Sequence, residues 1–452
     1  MADAAADGTD RISGSERIAA LDVIRGIAIL FILFMNMPAM AGYFHAGDER
    51  SLGWSNWDRW AFIFQFSYLD GTQRGLLELL FGAGMMIMAR NAMRPDAPIA
   101  IADLNYRRNW LLVGFGIVNA GVLMWFGDIL IPYGIVAMLV FPFRLLKARN
   151  QLIVGMLFLL VASASTVARY ETRLDNYRTG TALEAKQAAH HPLTSDEQAK
   201  LKAWHEFTEE FKLPSQSPQV RKELAEERAT RVAPLPVYAK ARWNDWVWFY
   251  QWFPLDFIVP EIAGTMILGM ALFQLGIIQG RASRRTYLLM LLAGYAVGIG
   301  LRSWQLSQYL TWLPFPKSSQ MFMQLSRIAV TFGHLGLLNL ALRSHFGRLM
   351  LGPLAANGRM PLTTYLSASF VTMWILFPSF GLGLWGHFSF AGMLALAAAI
   401  IAVQAIAANI WLLYYETGPL EWVWKSLAYQ RRMPFRRRGV EPTLPPGLVP
   451  AE

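Results

Sequence analysis

The segment LDVIRG places Asp22 and Arg25 three residues apart at the mouth of an otherwise apolar run, IAILFILFMNM. At that spacing both side chains fall on one helix face. They can neutralise each other, or Arg25 can stand ready for an anionic group such as a phosphate or carboxylate. Asn36 lies deep in the same run, and Pro38 ends or kinks the helix there. His45 follows near enough to fold back over Asn36. It is either an interfacial packing residue or a base, because a near-neutral imidazole takes a proton readily from a hydroxyl or amine. Asp70, Arg74 and Glu78 share a second face, as a self-satisfied salt-bridge ladder or as a polar path into the membrane. Asp128, in WFGDILIPYGI, sits at a Gly-Asp turn signal. Its carboxylate either makes an ordinary turn or orients a base, and Asn119 about two turns earlier can hydrogen-bond across helices.

Later apolar segments carry Glu261, Arg302, Gln305, Gln308, Gln320, Gln324, Arg327 and His334. Gln320, Gln324, Arg327 and His334 share one helix face, and facing that stripe toward lipid is costly. The stripe, with Glu261, is therefore read as lining an interior substrate cavity. There is no P-loop, zinc-protease helix, dinucleotide glycine motif or lipase elbow, and no metal is expected. The absence of cysteine excludes disulfides, Cys-ligated zinc, iron–sulfur clusters and thiol nucleophiles. Nothing points to nucleic acid; the basic tail QRRMPFRRR reads as a membrane-surface feature, with membrane lipids as partners.

These residues must be positioned by membrane helices. Of 452 residues, 54% are hydrophobic and 16% charged, against about 25% charged in soluble domains. Apolar segments of the length a bilayer requires predict about ten spans, near 19–38, 72–90, 109–126, 129–143, 151–167, 255–277, 286–303, 321–341, 350–376 and 391–414. The polar N-terminus lacks a signal-peptide pattern, so the first span is read as retained. Basic residues follow every even-numbered span, which puts both termini in the cytoplasm. The fold class is thus all-α, a polytopic transmembrane bundle with a helical cap on its outer face. Residues 1–17 form a tail, 18–167 a five-span bundle with the expected site, 168–253 the extracytoplasmic helical loop, 254–415 five further spans and 416–452 a basic tail. The loop's TSDEQ opens with a capping-box signature from Thr194 to Glu197. Small residues in FGAGM permit close helix packing and a homodimer.

Five stretches, RIAALDVIRGIAIL with its following Asn, ELLFGAGM, RRNWLLVGFGIVNAGVLMWFGDILIPYGI, NGRMPLTTYL and GPLEWVWKSL, resemble the YeiB-like family of bacterial inner-membrane proteins, in that family's order. The N-terminal half is in turn similar to heparan-alpha-glucosaminide N-acetyltransferase and to transmembrane acyltransferases more widely, on the match of Asp22, Arg25, Gly26 and Asn36. His45 stands nine residues beyond Asn36, where the acetyltransferase has its His eleven beyond. The resemblance implies transfer of an acyl group from cytoplasmic acyl-CoA or acetyl-CoA to an extracytoplasmic or membrane-embedded acceptor: a glycan, lipid or small metabolite. Arg25 would then meet the acyl-CoA, and Arg107 and Arg108 its phosphates. His45 would be the base, Asn36 with Asn119 the oxyanion donors, and Asp128 or Asp70 the partner of the imidazole. A transporter or flippase of a small amphiphile, and a non-catalytic scaffold or sensor, are the alternatives.

Overall fold

The computed structural model describes residues 19–42, 54–89, 100–209, 211–213, 215–251 and 255–437. Helix α1 (Ala19–Ala41) is followed by α2 (Asn56–Phe64), a π-helical turn (Gln65–Leu69) and α3 (Thr72–Ala89). Then come α4 (Ala100–Gly121) and α5 (Leu130–Val140), which ends in a 3-10 turn (Phe141–Leu145). Helix α6 (Ala148–Ala188) leads into α7 (Ser195–Glu209), α8 (Pro218–Arg231) and α9 (Leu235–Gln251). Helices α10 (Leu255–Gln274) and α11 (Arg284–Tyr309) precede a 3-10 turn (Ser318–Phe322) and α12 (Met323–Ala341). The chain then passes through α13 (His345–Leu351), α14 (Ala355–Arg359) and α15 (Pro361–Phe370), which ends in a π-helical turn (Val371–Leu376). Helices α16 (Phe390–Tyr414) and α17 (Pro419–Ala428) complete it.

The fold is an all-α bundle. Among the described residues six helices are long and apolar enough to cross a bilayer: α1, α6, α10, α11, α12 with its preceding turn, and α16. Their outward faces carry exposed aliphatic residues, such as Leu157 and Leu160 on α6 and Ile406 and Ile410 on α16. A belt of that kind fits hydrocarbon and would be anomalous in water. Shorter or more polar helices α3, α4, α5 and α15 stand where the other four spans are expected. We call the end holding the first turn of α1 the N-face, and the opposite end the cap face.

Three of the predicted spans differ. The third runs from Ala100 to Gly121 rather than over 109–126, because the chain turns back at Met124, whose φ is 60°. The ninth, expected unbroken over 350–376, is interrupted at Pro353 and again where Met360 leaves helical geometry (ψ 53°) before Pro361. A residue preceding proline is pushed out of the α region. Helix α6 also passes straight through the expected boundary at residue 167; its 41 residues span roughly 60 Å at 1.5 Å per residue. Its far half carries the cap, where Leu183, Leu201 and Trp204 pack together. The capping box forms, with the Glu197 amide donating to Thr194 Oγ1 at 3.2 Å and the Thr194 amide to Glu197 at 2.9 Å.

Helix crossings are set by glycines. A Cβ on Gly26 would lie 1.9 Å from the Leu354 carbonyl oxygen, and one on Gly358 would lie 1.8 Å from that of Asp22. The start of α1 therefore rests backbone to backbone on α14. Gly82 and Gly269 do the same for α3 and α10.

Candidate functional site

An ion cluster lies in the middle of the bundle, where α3, α10 and α12 meet. Arg74 and Glu78 come from α3, Glu261 and Thr265 from α10, and Gln324 and Arg327 from α12. Arg327 Nη1 is 3.0 Å from Glu78 and 3.6 Å from Glu261, and its Nη2 donates to Thr265 Oγ1 at 3.0 Å. Glu261 also accepts from Arg74 and Gln324. Tyr133 Oη of α5 donates toward Glu78 at 3.2 Å and the Arg74 carbonyl at 3.1 Å. Both glutamates are 0% exposed. Two buried carboxylates matched by two guanidiniums make a neutral set, the condition under which charge is tolerated away from water. Gly75 makes room for it: a Cβ there would lie 2.6 Å from Thr331 Oγ1 and 3.3 Å from Arg327 Nη1.

On the cap-face side of this layer is a cavity of about 560 Å³. Arg74, Gln324 and Arg327 form its floor, Asp70, Arg302 and Lys317 its polar wall, and Met35, Phe62 and Phe390 part of its apolar wall. Arg74 is 30% exposed and so presents its guanidinium to this space. Arg302 donates to the carbonyls of Phe66 at 2.6 Å, Ser67 at 3.2 Å and Asp70. The π-helical turn leaves these oxygens in need of donors.

On the N-face side is a second cavity, of about 640 Å³. Its depth is apolar, with Ile29, Leu77, Phe81 and Leu112, and Tyr133 lies at its far end. Its mouth holds four cations, Arg25, Arg108, Arg359 and Lys425, and two acids, Asp22 and Glu421. Asp22 lies 3.3 Å from Arg25, which also donates to the Gly358 carbonyl at 3.1 Å. Glu421 is occupied at the start of α15, accepting from the Leu362 and Thr363 amides and from Thr363 Oγ1 at 2.6 Å. Arg108 lies over the Trp424 ring at 4.5 Å. Asn105 lines the cavity with a buried amide nitrogen that has no hydrogen-bond partner. Glu78 bonds Tyr133 on one side and pairs with Arg327 and Arg74 on the other, so a single ion layer separates the two cavities.

The residues picked out from sequence fall in different places. Arg25 and Arg108 line the N-face cavity; Asp70, Gln324 and Arg327 line the cap-face cavity, with Glu261 directly behind them. Half of the Asp70–Arg74–Glu78 ladder forms: Arg74 Nε lies 3.5 Å from Glu78 while its Nη2 reaches Glu261, and Asp70 meets Arg302 through its backbone. Asp128 and Asn119 line neither cavity, although Ile129 and Leu130, next to Asp128, line the N-face one. Asn119 Nδ2 donates to Asp128 at 2.8 Å, and the other Asp128 oxygen takes the Ile131 amide at 2.9 Å, which makes it a cap for α5. His334 lines neither cavity; its Nε2 donates to the Tyr68 carbonyl at 2.7 Å and its Nδ1 pairs with Tyr295 Oη at 2.6 Å. Arg107 is paired with Asp103 at 2.6 Å, away from the N-face mouth. Asn36 is half-buried on α1 and borders neither space. His45 lies outside the described residues. Among the described residues no group of three or more His, Asp or Glu could hold a metal ion. Sequence reasoning missed Tyr133, Lys317, Trp424 and Glu421, which look like ordinary interfacial residues in one dimension.

Residues 272–431 match the family described as protein of unknown function (DUF418). The chain is 27% identical to the uncharacterized protein YxaH of Bacillus subtilis (strain 168), over 94% of this chain and 97% of that protein. It is also 27% identical to the uncharacterized protein YeiB of Escherichia coli (strain K12), over 93% of this chain and 98% of that protein. A 100-residue stretch is 38% identical to the uncharacterized 39.9 kDa protein in amylase 3'region of Bacillus acidopullulyticus, covering 22% of this chain and 28% of that protein. No solved structure matches. The resemblance carried by the five sequence stretches is thus supported: the chain is similar over nearly its whole length to YxaH and YeiB, and its residues 272–431 match a family of unknown function.

Proposed function

We propose that the chain is a membrane-embedded acyltransferase of the bacterial inner membrane, with the N-face in the cytoplasm. It would take an acyl group from acyl-CoA in the N-face cavity and pass it to an acceptor in the cap-face cavity. The observation that carries this reading is the back-to-back arrangement of the two cavities on one ion layer. The N-face cavity has a cationic mouth and an apolar depth, which suits an anionic head and a thioester-bearing arm. The Asn105 amide nitrogen, buried without a partner, is a donor that a bound ligand would satisfy. Basic residues at the N-face ends of the helices, including Arg144, Arg281 and Arg343, support the cytoplasmic orientation.

In the reaction the acceptor oxygen or nitrogen attacks the thioester carbonyl carbon, the carbon–sulfur bond breaks, and the acceptor's proton passes through a base to the leaving thiolate. His45 is the base this reading assigns. The test is incubation of the purified chain with labelled acetyl-CoA and longer acyl-CoA. The expected result is saturable CoA release, with Arg108→Gln raising KM roughly tenfold, the worth of one charge-assisted hydrogen bond, and His45→Ala lowering kcat. A wild-type chain that neither binds CoA nor turns it over overturns the reading.

Transport of a small amphiphile is the second reading, favoured by one observation: the 0% exposure of Glu78 and Glu261 leaves the layer between the cavities closed. A carrier caught between access states has that form. Substrate counterflow in liposomes, without CoA release, would select it.

A further inference from the structure

A third space lies in the cap. A cleft of about 620 Å³ runs between α6, α7 and the segment joining α11 to α12. It shares Tyr309, Lys317 and Gln320 with the cap-face cavity, so the two adjoin at these side chains. At that junction stand two cations. Lys317 Nζ is 5.3 Å from the Tyr309 ring centre, 5.4 Å from Phe211 and 5.8 Å from Phe315. Arg173 donates to the neutral Gln320 Oε1 at 2.6 Å. Among the described residues neither cation has a carboxylate within ion-pair distance. Burial, and then the nearby Arg173 guanidinium, lower the Lys317 ammonium below the ordinary lysine range. Two acids, Asp175 and Glu223, also line the cleft, but neither is within ion-pair distance of Lys317 or Arg173; Glu223 accepts from Gln219 at 3.0 Å, and Lys200 is paired with Asp196 at 2.8 Å. Trp204, Phe207 and Trp312 continue the wall as flat apolar surfaces.

Two neighbouring cations without acids form an anion site. Because they repel each other, a dianion relieves more unfavourable energy than a monoanion does. A phosphomonoester carries about −1.5 to −2 charge at neutral pH, whereas a carboxylate carries a single charge. We infer that the cap cleft and the cap-face cavity form one binding site for an organic phosphomonoester, its phosphate between Lys317 and Arg173 and its body against the aromatic wall. As the acceptor's site this inference rests on the acyltransferase reading; as a binding site it does not.

The phosphomonoester can arrive in solution or as a lipid headgroup, and the experiment separates these sources. The full chain is titrated in detergent with glucose 6-phosphate, with glucose as the control, followed by tryptophan fluorescence. It is also reconstituted in nanodiscs with phosphatidic acid, with phosphatidylcholine as the control, and scored for co-retained lipid by native mass spectrometry. The expected result is saturable binding of one phosphomonoester and not its control, weakened about tenfold in Lys317→Gln and in Arg173→Gln and largely kept in Lys317→Arg. The binding arm identifies the source. No binding of either phosphate by the wild type, or binding unchanged in both glutamine variants, overturns the inference. Unchanged melting temperatures show that the variants remain folded. CoA binding is measured on the same proteins: the acyltransferase reading requires that Lys317→Gln keep it and Arg108→Gln weaken it. Failure of CoA binding alone removes that reading and leaves the phosphate site in place.

Discussion

Glu261 takes donors from three side chains on two other helices, and Glu78 ties the same arginines to Tyr133. Glu261→Gln would leave Arg74 and Arg327 sharing one carboxylate, with Arg327 only 4% exposed. Breaking a buried pair in this way costs about 3–5 kcal/mol, so the variant should unfold well below the wild type in a detergent melt. The identity of these residues was legible in the sequence, because ionisable groups in apolar segments rarely face lipid. Their partners were not. Sequence proximity suggests that Arg74 belongs with Asp70 and Glu78, yet its strongest ion pair is with Glu261, 187 residues away. Asp128 shows the converse: a polar residue in an apolar stretch that only ties its own turn to α4 through Asn119.

At the level of elements, small residues decide which helices touch and which spaces stay open. Gly26→Leu would drive its side chain into the Leu354 carbonyl and part α1 from α14, so little folded protein should be recovered by size-exclusion chromatography. Gly84, two residues from the packed Gly82, faces the N-face cavity with nothing within 4 Å of where its Cβ would lie. Gly84→Leu should therefore melt like the wild type while losing CoA binding. The FGAGM motif gave no sign that its two glycines do opposite jobs, Gly82 packing against α10 and Gly84 facing open space. Asp58 joins α2 to α16: one carboxylate oxygen accepts from Ser55 Oγ at 2.6 Å and the other from the Ala391 amide at 2.7 Å. Burial pushes its carboxyl up, but those hydrogen bonds, Ser55's first, outweigh it and hold the pKa at about 2, below the ordinary 3.8. Its folded-state pKa is depressed, so its contribution to stability is present above pH 3.8 and is lost as pH falls toward 2. Asp58→Ala should cost about 1 kcal/mol near neutrality, as loss of a helix cap does, and should flatten the acid limb of the melting curve. The capping pattern SNWD was there to be read; its second partner, on α16, was not.

Across the whole molecule, the separation of the two cavities is the feature on which the proposed function turns. The chain contains no cysteine, so single cysteines report accessibility without a background. A membrane-impermeant maleimide should label Gly84→Cys only from the cytoplasmic side of oriented vesicles and Met323→Cys only from the other. Labelling of both from one side would overturn the two-cavity arrangement. Composition and apolar run length by themselves determined that this is an all-α membrane bundle, because a bilayer leaves a chain few ways to satisfy its backbone. Local spacing determined the caps and turns, and the five familiar stretches pointed to the YeiB-like proteins that the chain resembles. Only the tertiary structure decided that Arg25 and Arg327 belong to different cavities, that an ion layer stands between them, and that Lys317 faces Arg173. Those facts depend on contacts between helices far apart in the chain, and periodicity along one helix carries no information about which neighbour its polar face will meet.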